Sequence, residues 1–171
     1  HPKDVRGFSV SGRADAGIFV DSKGHVLAEP WSDGRHRSMF EALRADYPGA
    51  PLYGLTLISK YAWLHENQPK KCGEIKHCFY AKDFLLFKLT GIAMTDPSSG
   101  PDAMSWFEQN VIDRELLPKP ALPWSIAGEL TSFAAEELGC RPGVPVAVGA
   151  HDGICANTGC AMLDENDYAL T

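Results

Sequence analysis

The chain has 171 residues, 44% apolar and 22% charged, enough for one sizeable core and unlike the composition of a disordered chain. A formal net charge of -6 argues against nucleic acid or an anionic membrane surface as a partner, and the short runs Arg35-His36-Arg37 and Lys70-Lys71 read as solvated surface. No stretch nears the roughly 20 apolar residues that cross a bilayer, and His1-Pro2-Lys3-Asp4 does not open a signal peptide. The five cysteines contain no C-x-x-C pair, so reduced thiols and a cytoplasmic protein are expected.

Val5 to Gly12 alternates apolar with small or polar residues and predicts a half-buried strand. Gly17 to Val20 and His25 to Ala28 flank the turn-rich tetrad Asp21-Ser22-Lys23-Gly24, the pattern of a hairpin. Pro30 to Arg35 follows as a polar loop carrying Trp31. The period then changes to helical: Met39, Phe40, Leu43 and Tyr47 predict a short helix ended by Pro48-Gly49. Ile58, Tyr61, Ala62, Leu64 and His65 predict a second, broken at Asn67-Gln68-Pro69. Tyr80 to Leu89 predicts a third, closed by Thr90-Gly91, and Thr95 to Asp102 reads as loop before Ala103 to Phe107 resumes apolar character.

Ser132 to Leu138 predicts a short helix stopped by Gly139. Arg141-Pro142-Gly143 then turns the chain into Val144 to Gly149, a continuous apolar strand. From Asp152 a helix of small apolar residues runs to Leu163 and is expected to pack closely on a sheet. Strands, then helices, then strand, helix and strand make the class α/β. Val5 enters a strand almost without leader and Tyr168 to Thr171 opens another that stops, so a fragment at both ends is expected.

A carboxylate at the carboxyl end of a buried strand lands in the crevice where open α/β sheets bind ligands, and Asp152 has that place. It reads either as a general base or metal ligand, or simply as the N-cap of the following helix. Gly149 and Gly153 bracket it, to admit a ligand to the backbone or merely to serve the turn. His151 joins it as a metal pair only if a third ligand exists, so a hydrogen-bonding role is the better reading. At the start, Arg13, Asp15, Trp31 and Asp33 supply the donors, acceptors and aromatic face that a carbohydrate site uses; individually each also fits an exposed ion pair or a buried Trp. Neither G-x-G-x-x-G, nor G-x-x-x-x-G-K-[ST], nor G-x-S-x-G occurs.

Taken in order, several segments resemble the FGGY carbohydrate kinases. They are Gly7-Phe8-Ser9-Val10-Ser11, the Asp21-Ser22-Lys23-Gly24 hairpin, Trp31-Ser32-Asp33-Gly34-Arg35, and Ser59 to Leu64. Asp83 to Gly91, Thr95-Asp96-Pro97-Ser98-Ser99, and Val148-Gly149-Ala150-His151-Asp152-Gly153 complete the series. The resemblance implies a ribonuclease H-like, actin-like ATPase fold, incomplete at both ends. Residues 1–163 would be the greater part of the first domain, and 164–171 a strand leading to an ATP-binding domain. It implies phosphorylation of a sugar, sugar acid or polyol hydroxyl, with Asp152 as the base accepting the hydroxyl proton. Ser11, Gly12, Arg13, Ala14, Trp31, Asp33, Asp152 and Gly153 would meet the acceptor. MgATP would be bound mainly by parts outside this chain, which alone would be inactive, and the family allows a homodimer. Residues 11–14 depart from the Met-His-Gly of xylulokinases and the Arg-Glu of glycerol kinases, while Asp152 to Gly159 is most similar to gluconokinase-like members. The alternative function is a noncatalytic sugar-binding or interaction module made of the first domain alone.

Overall fold

In the computed structural model the described residues are 1–13, 17–28, 34–46, 48, 52–97, 112–162 and 164. In chain order the elements are β1 (Phe8–Gly12), β2 (Ile18–Val20), α1 (Arg37–Asp46), α2 (Leu52–Asn67), α3 (Pro69–Gly73), β3 (His77–Phe79) and α4 (Ala81–Thr90). After them come β4 (Met94–Thr95), β5 (Lys119–Pro120), β6 (Ile126–Glu129), α5 (Ser132–Leu138), β7 (Pro145–His151) and α6 (Asp152–Gly159).

The sheet that positions the site has the order β1-β7-β6, with β1 parallel and β6 antiparallel to β7. Val10, Val146 and Val148 are buried and share a core with Leu86 and Leu89 of α4 and Ala134 and Ala135 of α5. Helix α4 buries Lys82, Asp83, Leu86, Leu89 and Thr90. That spacing is one face of a 3.6-residue period, so the face that enters the core begins with two charged residues. Gly91 ends the helix in the left-handed conformation (φ 74°) and its amide bonds the carbonyl of Phe87, the stop expected from Thr90-Gly91. A second core joins α2 to the β2–β3 pair through Leu55, Leu57, Ile58, Leu64, Phe19 and Cys78.

Several expectations change. The segment His25 to Ala28 turns back on β2 as expected, with Val26 bridging Val20, the Leu27 amide bonding the Phe19 carbonyl and the Asp21 amide the His25 carbonyl. What was not expected is that β2 is also paired along its length by β3, from Ile18 with Phe79 to Val20 with His77. Pro69 does not merely end α2. It sits in the first turn of α3, where its missing N–H costs nothing. Strands β3, β5 and β6 were not expected, and β4 occupies Thr95, expected as loop. Helix α6 stops at Gly159 rather than Leu163; it lies against β7 and β1, as its small side chains allow, yet none of its residues is fully buried there. The expected apolar segment 103–107 lies outside the described residues, as does the expected strand 164–171 apart from Asp164.

Candidate active site

β7 is apolar because its side chains enter the core: Val146 and Val148 are fully buried and Ala150 nearly so, while Pro145 at its start is exposed. Its partner β1 runs parallel, so both strands finish at one edge of the sheet, with Ser11 paired to Ala150 and Gly12 to His151. The register slips between Ser9 and Ser11. Gly149 has φ +73° there, and a Cβ on it would fall 1.8 Å from the Val10 carbonyl oxygen. Neither expected role, room for a ligand or service of the turn, is what demands this glycine: it lies within β7, where the absence of a side chain lets that strand sit against β1.

The strand end hands over directly to α6. His151 is the N-cap, its Nδ1 accepting the Gly153 amide at 3.1 Å, and Asp152 is the first helical residue. The expectation that Asp152 itself caps the helix is thereby corrected. Its Oδ1 also receives the Gly153 amide at 2.9 Å and lies 3.6 Å from His151 Nδ1, but the side chain stays 60% exposed. A carboxylate in the first turn is favoured by the helix dipole, and exposure leaves it open to a bound hydroxyl. The His151 ring lies over Gly153, where a Cβ would come 2.9 Å from His151 Cε1 and displace the imidazole.

Ser11, Gly12 and Arg13 therefore emerge beside His151 and Asp152, as parallel strand ends must. Ala14, Trp31 and Asp33, and with them Asp15, lie outside the described residues. Arg35, next in that segment, stacks its guanidinium over Trp63 of α2, 4.5 Å from the ring centroid. Among the described residues no three His, Cys, Asp or Glu side chains gather to hold a metal, so the pairing of His151 with Asp152 gains no third ligand.

A charged cluster at the start of α4 was not foreseen. Lys82 Nζ lies 2.6 Å from Asp83 Oδ1 and 2.8 Å from Asp96 Oδ1, and all three side chains are fully buried. Burial pushes the Asp83 carboxyl up to about 6 against the opposing pull of the Lys82 ammonium. The only signal in the sequence is the Lys-Asp pair near the start of the mostly apolar run Tyr80 to Leu89. The same cluster borders the strand ends, because a Cβ on Gly12 would meet Lys82 Cβ at 3.4 Å and its backbone nitrogen at 3.6 Å.

Comparison with known proteins points the same way. Residues 1–159 match the family model described as the FGGY family of carbohydrate kinases, N-terminal domain. The chain is 24% identical over 189 residues to the xylulose kinase of Staphylococcus xylosus, an alignment covering 98% of the chain and 39% of that protein. Among solved structures it superposes on a xylulose kinase from Rhodospirillum rubrum with a TM-score of 0.73 at 24% identity, over 88% of this chain and 36% of the other. It also superposes on a gluconate kinase from Lactobacillus acidophilus with a TM-score of 0.72 at 21% identity, over 88% and 36% respectively. The fold is thus that of these kinases, and the chain spans about two fifths of the length of the curated relative.

Proposed function

The chain belongs to the FGGY family of carbohydrate kinases, and from that premise we propose that the complete protein phosphorylates a hydroxyl of a sugar, sugar acid or polyol, with Asp152 as general base. The observation that carries the reading is the exposed Asp152 carboxylate at the carboxyl end of β7, one residue beyond the pairing of Gly12 with His151. Residues 1–163 are the greater part of the acceptor-side domain in this reading, and 164–171 lead to the domain that binds nucleotide. MgATP supplies the phosphoryl group and is held mainly outside this chain.

The residues of this chain bind and orient the acceptor. Ser11, Gly12 and Arg13, with Ala14, Trp31, Asp33 and Gly153, meet its hydroxyl groups, and Asp152 takes the proton from the hydroxyl that becomes the nucleophile. A rigid strand end followed by a helix suits that task, because a base is effective only within hydrogen-bond reach of its proton. A ketose such as xylulose and a sugar acid such as gluconate are the first acceptors to try, in keeping with the printed names of the relatives.

The test is ADP release by the complete protein over a panel of sugars, sugar acids and polyols. One or more acceptors should give turnover, and Asp152→Asn should lower kcat by about 10²–10⁴-fold while acceptor binding persists. Turnover undiminished in that variant removes Asp152 from the role of base.

A further inference from the structure

The buried cluster of Lys82, Asp83 and Asp96 takes no part in the proton transfer just described. Burying three ionisable groups is costly, and apolar residues of similar volume often serve stability as well or better. Its geometry, however, links the start of α4 to the residue that follows β4, through Lys82 Nζ placed 2.6 Å from Asp83 Oδ1 and 2.8 Å from Asp96 Oδ1.

The backbone and Cβ of the same lysine lie against Gly12. Gly12 in turn pairs with His151, whose neighbour is Asp152. The contacts thus run from Asp96 through Lys82 and Gly12 to His151 and the edge of the sheet where the acceptor is bound. Lys82 itself is fully buried and does not reach that surface.

Resting on the kinase reading, we propose that Lys82, anchored by Asp96 and Asp83, is a positioning residue that fixes Gly12 and Arg13 at the floor of the acceptor site. A charge-assisted hydrogen bond is shorter and stiffer than an apolar contact, so it holds the first turn of α4 and the adjoining backbone in one place. Acceptor geometry is sensitive to displacements of about 1 Å, which is the scale on which a loosened α4 start would act.

The test uses Lys82→Met, Lys82→Arg and Asp96→Asn in the complete protein. Lys82→Met and Asp96→Asn should each raise the acceptor KM about tenfold with the ATP KM unchanged, and Lys82→Arg should recover part of the loss. An unchanged acceptor KM, or equal changes in both KM values, overturns the proposal. If Lys82→Met does not fold, the double variant Lys82→Met with Asp96→Asn, which removes both members of an opposite-charge pair, is judged by the same criterion. If the wild type phosphorylates no acceptor, the kinase reading fails separately, and positioning is decided by the amide NMR shifts of Gly12 and Arg13 in Lys82→Arg. Shifts there with Gly139 unmoved support it; unchanged shifts at Gly12 and Arg13 overturn it.

Discussion

The imidazole of His151 reaches forward over Gly153, its Nδ1 accepting the Gly153 amide at 3.1 Å and its Cε1 occupying the space a Cβ would need. Gly153→Ala should therefore push the ring aside and undo the cap of α6. The expected loss is about 1 kcal/mol, the usual worth of an N-cap, and His151→Ala should lose a similar amount. Urea unfolding of the two single variants and the double variant checks this, since a shared cause makes the double cost little more than either single.

Gly149→Ala should be far more damaging. Its φ of +73° is unfavourable to any side chain, and a Cβ would collide with the Val10 carbonyl oxygen inside the β1–β7 pair. A loss above about 3 kcal/mol is expected, seen as failure to accumulate soluble protein or as a much lowered urea midpoint.

Asp152→Asn is expected to leave folding almost intact, because the carboxylate is largely exposed, and the Gly153 amide it accepts is also held by His151 Nδ1, so that the main loss is its favourable interaction with the helix N-terminus. The change should stay within about 1 kcal/mol by urea unfolding. This matters for the kinetic test above, which needs a variant that has lost a base and nothing else.

Asp83 makes stability depend on pH in a definite direction. Its folded-state pKa of about 6 stands above the ordinary 3.8, because burial outweighs the attraction of Lys82, with Asp96 adding repulsion. Between those values the folded chain keeps a proton that the unfolded chain has released, so this group's contribution to stability falls as pH rises from about 4 to 6 and is level beyond. Asp83→Asn should remove that dependence while keeping an oxygen for Lys82. The difference in unfolding free energy between wild type and variant, measured by urea at pH 4.5 and pH 7, should favour the variant more at the higher pH.

Thr131 caps α5, its Oγ1 accepting the Ala134 amide at 3.2 Å. Thr131→Ala should cost about 1 kcal/mol, with Thr131→Ser close to wild type, as thermal unfolding would register.

The elements legible in advance were those with enough residues to show a period or a stop. α4 runs from Ala81 to a left-handed Gly91, and α5 ends on Gly139 at φ 64°. β7 follows the Arg141-Pro142-Gly143 turn and delivers Asp152 to its carboxyl end. By contrast β3 has three residues and β4 and β5 two each, too short for alternation to appear, and they exist because a partner strand supplies their hydrogen bonds. The hairpin after β2 was legible from the Asp21 to Gly24 turn, and its return is hydrogen-bonded to β2, but the further partner of β2, the strand β3, lies more than fifty residues later in the chain and could not be read from that turn.

By itself the sequence determined the order strand, glycine, acid, helix around Asp152, and the series of segments by which the family is recognised, because these are local patterns in which each residue answers to its near neighbours. Only the tertiary structure decided that Gly12 stands beside His151, that His151 rather than Asp152 caps α6, and that Lys82, Asp83 and Asp96 share a buried site. A Lys-Asp pair reads the same on paper whether it faces water or the core. Its place is settled by which face of α4 the sheet covers, and that is a property of packing between distant segments.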